Sequence, residues 1–133
     1  MIGLKNDGSP YNVLVVDDSI FVQKRMEKML SSEGFEIIDV AGHGREAVEK
    51  YQTLHPAVDI VTMDVTMPGM HGIEALKEIK DFDPEACVVM VSALGKTDLM
   101  KDALLGGAVH YIIKPIDKTR LLKTMEFAIQ SKL

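Results

Sequence analysis

A single cysteine, Cys87, occurs in the 133 residues, so no disulfide can close within the chain. A lone thiol fits a reducing compartment, and the cytoplasm is the expected location. Cys87 lies in an apolar run, which reads as a buried, inert thiol. No apolar run approaches the length of a membrane span, so no membrane insertion is expected. Met1 to Pro10 is polar and glycine-containing, lacks the apolar segment of a signal peptide, and reads as a flexible lead-in. An excess of positive charge is also missing. The net charge of −5 argues against nucleic acid as a direct partner. There is no internal repeat, low-complexity tract or linker after residue 12. The four histidines, His43, His55, His71 and His110, are scattered without metal-ligand spacing. Gly42-His43-Gly44 is too incomplete for a phosphate loop. The closing Ser131-Lys132-Leu133 matches a peroxisomal address, which three residues ending a helical pattern can do by coincidence.

What the chain does have is 47% apolar residues, enough for the core of one domain over residues 11–133. Short β-favouring runs alternate with helical patterns. Val13 to Val16 ends at Asp17-Asp18, and Ser19 then caps a helix carrying Val22, Met26, Met29 and Leu30 on one face. Phe35 to Val40 is a second strand, followed by a helix over Arg45 to Leu54. Ile60 to Asp64 is the third strand; the Pro68-Gly69 loop follows, and a helix begins at Ile73. Cys87 to Val91 is the fourth strand and stops at Ser92, before a helix over Lys96 to Leu105. Tyr111 to Ile113 is the fifth strand and stops at Lys114-Pro115; Asp117 caps the last helix. Five βα units of this kind predict an α/β fold, a doubly wound five-stranded parallel sheet with helices on both faces. Strands that are apolar almost throughout agree, because both of their faces are buried.

Four of the five strands end in a chemically active side chain: Asp17 and Asp18, Asp64, Ser92 and Lys114. Parallel strands place all their C-terminal ends on one edge, where open α/β sheets bind their ligands. Three carboxylates about 5 Å apart repel by roughly 3 kcal/mol per pair at an effective dielectric of 20. A cation must offset that. An all-oxygen donor set with few protein ligands suits Mg²⁺, with Mn²⁺ as substitute. Metal, nucleophilic carboxylate, hydroxyl and lysine together make a phosphoryl-transfer set, with Asp64 as the attacking group.

At these residues the chain resembles the response-regulator receiver domains of two-component signalling, in their stand-alone chemotaxis form. The resemblance rests on Asp17-Asp18, on Asp64 followed by Met67-Pro68 and Gly72, on Ser92-Ala93 and on Lys114-Pro115, and spans about residues 11 to 131. It implies a flavodoxin-like (βα)5 sheet of order 2-1-3-4-5, an order taken from the likeness alone. It further implies that Asp64 is the phosphoacceptor and that Asp18, Asp64 and the Thr66 carbonyl ligate the metal. By the same resemblance Asp17 would act through water, Ser92 and Lys114 would contact the phosphoryl group, and Tyr111 would be the switch aromatic. The Lys114–Pro115 bond is expected cis. His71 departs from the usual pattern, standing where Asp or Asn precedes the glycine, and is a poorer helix cap.

The resulting expectation is a monomeric switch, phosphorylated by a histidine kinase, that changes its affinity for a protein target such as a flagellar-motor component. The output face is expected at the fourth helix, fifth strand and last helix, where Lys96, Lys101, Lys118 and Arg120 suit an acidic or amphipathic segment. One alternative is a receiver cut from a longer regulator, with an output domain after Leu133. Another is a Mg²⁺-dependent phosphohydrolase of haloacid dehalogenase type, which would want Asp-x-Asp on the first strand and a cap domain. A flavodoxin-like electron carrier would need a phosphate loop where Asp17-Asp18-Ser19 stands.

Overall fold

The computed structural model describes residues 1–132. Leu133, and with it the end of the peroxisome-like tripeptide, lies outside the described residues. The order is β1 (Asn12–Val16), α1 (Ile20–Ser31), β2 (Glu36–Ala41), α2 (Gly44–Leu54), β3 (Ile60–Asp64), α3 (Gly72–Phe82), β4 (Val88–Ser92), α4 (Thr97–Leu105), β5 (His110–Ile113) and α5 (Lys118–Ser131). All strand pairs are parallel and the sheet order is β2-β1-β3-β4-β5. Each expected element is present, with ends moved by a residue or so. Phe35 drops out of β2 because its N–H donates to the Leu30 carbonyl and closes α1 instead.

Side chains alternate across a strand, so the sheet divides the apolar residues into two cores. Leu14, Val16, Val61, Met63, Val88 and Met90 face α2, α3 and α4, where Val48, Leu76, Ile79 and Met100 meet them. Val13, Val15, Ile60, Val89 and Val91 face α1 and α5, against Met26, Leu30, Leu121 and Met125. With both faces of β1, β3 and β4 covered, these central strands can expose polar chemistry only at their ends.

Local signals fix the helix starts. Ser19 Oγ accepts from Val22 N–H at 3.3 Å, and Asp117 Oδ2 from Arg120 N–H at 3.1 Å. His43, given no role from sequence, caps α2. Its Nδ1 accepts from Glu46 N–H at 3.3 Å, while Glu46 Oε1 accepts at 2.6 Å from the N–H of Gly42, one residue before the cap, a variant of the capping box. His71 makes no side-chain cap bond at α3, in keeping with its poor capping chemistry.

The first ten residues fold back on the domain. Gly3 N–H donates to Glu33 O at 2.8 Å, Tyr11 N–H to Gly3 O at 2.8 Å, and Leu4 bridges to Pro10. Composition alone had marked this stretch as a lead-in. Its anchor is the backbone of Gly3, where a Cβ would overlap the backbone of Phe35. The Lys114–Pro115 bond is cis, as is His55–Pro56, for which the sequence gives no sign.

Candidate phosphoryl-transfer and metal site

β1 and β3 are neighbours, so their C-terminal residues come together. Asp17 and Asp64 are 2% and 4% exposed, while Asp18 is open to solvent. One carboxylate oxygen from each of the three lies within 4.8 Å of the other two. Asp17 is held from several sides: its N–H donates to Ala41 O at 3.0 Å, and its Oδ1 accepts from Ser19 N–H at 2.9 Å. Its carbonyl accepts from Gln23 Nε2 at 2.7 Å. Gln23 was not anticipated. Only its position one turn into α1, six residues after Asp17, could have marked it.

Lys114 reaches in from the end of β5. Its Nζ lies 3.0 Å from Asp17 Oδ2 and 3.5 Å from Asp64 Oδ2. Burial pulls the lysine pKa down, but the hydrogen bond to Asp17 and the charges of Asp64 and Asp17 outweigh it and leave the pKa raised. Burial first, and then the charges of Asp17 and Asp18, push Asp64 up to about 6 against the pull of Lys114 and of a Thr66 backbone bond. Three carboxylates and one ammonium leave a formal deficit of two positive charges (−3 + 1 = −2) in a largely buried spot. A hard divalent cation fits that donor set and that deficit.

Ser92 closes β4 and is 1% exposed; its hydroxyl donates to Ala93 O at 3.1 Å. Thr66 is exposed, and Leu94 is 82% exposed. Tyr111 is 37% exposed on the edge strand, so its ring stands outward. Behind the site, Gly72 N–H donates to Val65 O at 2.9 Å, and a Cβ on Gly72 would overlap the Asp64 carbonyl oxygen. Glycine is therefore required for α3 to start this close to the Asp64 backbone. Arg25 Nη2 donates to Ile116 O at 2.8 Å and ties α1 to the loop after Lys114, another contact the sequence did not disclose.

Residues 13–126 match the family described as response regulator receiver domain, and the chain belongs to that family. It is a CheY-like, phosphorylation-activated signalling protein built around the Asp17, Asp18 and Asp64 cluster, and not a catalyst beyond its own phosphorylation chemistry. Chemotaxis protein CheY of Treponema pallidum is 54% identical over 121 residues, covering 91% of this chain and 84% of that protein. CheY of Thermotoga maritima is 42% identical, over 85% of this chain and 92% of its own. Among solved structures, the CheX-CheY-BeF3-Mg²⁺ complex from Borrelia burgdorferi superposes with a TM-score of 0.89 at 48% identity, covering 97% of this chain and 94% of that one. Among the described residues, no helix is long and apolar enough to cross a membrane.

Proposed function

We propose that Asp64 is the phosphoacceptor of a chemotaxis switch. A carboxylate oxygen of Asp64 attacks the phosphorus of a kinase phosphohistidine; the O–P bond forms, the P–N bond breaks, and the imidazole leaves. Asp18, Asp64 and the Thr66 carbonyl would hold Mg²⁺, with Asp17 acting through water. Bound there, the ion neutralises charge on the phosphoryl oxygens. Lys114 supplies a fixed positive charge beside the same oxygens, and the Ser92 hydroxyl leaves Ala93 to donate to one of them. The observation that carries this reading is Lys114 Nζ placed within reach of both Asp17 and Asp64 inside the three-carboxylate cluster.

Movement of Ser92 would open space toward β5, with Tyr111 as the aromatic that responds. The output face is α4, β5 and α5. α4 favours this because Met100 and Ala103 are its only buried residues, while Leu104 and Leu105 are exposed. The donor is a histidine kinase in the cytoplasm, and the target is another protein; the chemotaxis role printed for the CheY relatives favours a flagellar-motor component. A CheX-like protein is a further partner, since the Borrelia relative was solved in complex with CheX.

The test is incubation with acetyl phosphate and Mg²⁺, followed by mass mapping. The expected result is one alkali-labile adduct on Asp64, absent without divalent metal and absent from Asp64→Asn. Full labelling of Asp64→Asn would assign the acceptor elsewhere.

A further inference from the structure

The sheet has two free edges, and they are closed differently. On β2, Val40 N–H donates to Asp39 Oδ1 at 2.8 Å, and Lys50 from α2 bonds Val40 O at 2.5 Å and Asp39 Oδ1 at 3.2 Å. A charged side chain from a packed helix thus occupies that edge, a common block against strand pairing. On β5, Lys114 N–H donates inward to Ser92 O at 2.7 Å. Backbone groups alternate sides along a strand, so those of Tyr111 and Ile113 point outward. The His110 ring covers the first of them: Nδ1 accepts from Tyr111 N–H at 2.8 Å and lies 3.0 Å from Tyr111 O. Phe127 holds that ring edge to face, with centroids 5.0 Å apart.

Alongside this edge runs a groove of about 350 Å³ lined by His110, Tyr111, Ile113, Arg120, Lys123 and Thr124. It contains two cations and no acid. Among the described residues, neither Arg120 nor Lys123 is paired with a carboxylate. A second copy of this chain laid against β5 would bring two such cationic pairs together.

We propose that the free edge of β5 is a strand acceptor for an extended acidic segment of a partner protein. The segment displaces the His110 ring and takes the Tyr111 and Ile113 backbone groups as its ladder partners. Its carboxylates meet Arg120 and Lys123. Main-chain bonds then supply affinity, and alternate side chains supply specificity. This rests on the reading of α4, β5 and α5 as the output face and adds how a partner is held there. The His110 ring would act as a removable cover, keeping the edge from pairing indiscriminately.

The probe is an acetylated hexapeptide alternating valine and glutamate, added to the full chain with and without beryllofluoride and Mg²⁺ and followed by amide NMR. Binding should slow hydrogen exchange at the Tyr111 and Ile113 amides by about tenfold or more. His110→Ala should tighten binding. Arg120→Glu with Lys123→Glu should weaken it by about tenfold. A peptide of the same sequence N-methylated on its edge-facing amides should not bind. Unimpaired binding of the methylated peptide would overturn strand addition, as would absence of binding in both states. So would the same protection arising from a concentration-dependent dimer without peptide. Beryllofluoride shifts at α4, β5 and α5 in the peptide-free samples report the output face separately. If they occur without peptide protection, the strand acceptor fails and the output face stands.

Discussion

Lys114 Nζ stands closer to Asp17 Oδ2, at 3.0 Å, than to Asp64 Oδ2, at 3.5 Å. The lysine is thus anchored by a carboxylate other than the proposed acceptor, which leaves Asp64 free to react while the cation stays in place. Removing the lysine strands two buried carboxylates, and breaking a pair of this kind costs about 3 kcal/mol. Lys114→Met should therefore lower the urea midpoint of the metal-free protein clearly, and added Mg²⁺ should recover part of the loss. Equal midpoints for wild type and variant without metal would contradict the structural role of this ion pair.

Asp64 itself works against stability when no metal is bound. Its pKa in the folded protein is about 6, against 3.8 as the ordinary value. Between those values the native state holds a proton that the unfolded chain has released, so stability falls as pH rises through that window and levels off above it. The shift corresponds to roughly 3 kcal/mol at neutral pH. Asp64→Asn should stabilise the metal-free protein at pH 7.5 by up to about that amount. Near pH 4 the gain should almost vanish. Chemical denaturation at the two pH values gives the comparison.

Two positions beside Asp64 bear on how long an adduct lasts. Thr66 and Leu94 are both exposed, two residues beyond Asp64 and Ser92, and neither is an acid or amide that orients water strongly. Thr66→Asn or Leu94→Glu should shorten the lifetime, by about tenfold if a water becomes held in line. Phosphate release from the isolated adduct measures it. Unchanged decay in both variants would remove these side chains from the account.

Among the described residues, one buried hydroxyl has no partner. Thr62 Oγ1 lies in the middle of β3, 1% exposed and without a hydrogen bond. Thr62→Val keeps the shape and removes the unsatisfied group, so it should stabilise the protein by about 1 kcal/mol. A lower melting temperature for this variant would show that the hydroxyl is satisfied in solution.

The fold was legible because its signals are periodic or local: apolar strands, amphipathic helices, Ser19 and Asp117 as caps, and polar residues stopping four of the strands. The meeting of the candidate site residues was legible because parallel strands bring their ends to one edge, and the structure does bring Asp17, Asp18, Asp64 and Lys114 together. The supporting contacts were not legible. Gln23 and Arg25 act on backbone carbonyls, which leave no residue-type signature at the receiving position. The anchoring of residues 1–10 escaped notice for the same reason, since Gly3 bonds through its main chain. Strand order was a further gap, because alternation of elements fixes direction and not neighbours.

β5 is four residues long, and Lys114 follows it directly. Tyr111 and Lys114 are three positions apart, so roughly 10 Å of extended backbone joins the outer edge of the sheet to the acidic pocket. A signal that uses this strand has a short wire. It need not cross either core, and its fidelity depends on one stretch of main chain held to β4 rather than on the rigidity of the whole domain. Substitutions deep among Leu76, Ile79 or Met26 would then weaken the protein without scrambling its message, whereas a kink between His110 and Lys114 would leave it folded and mute.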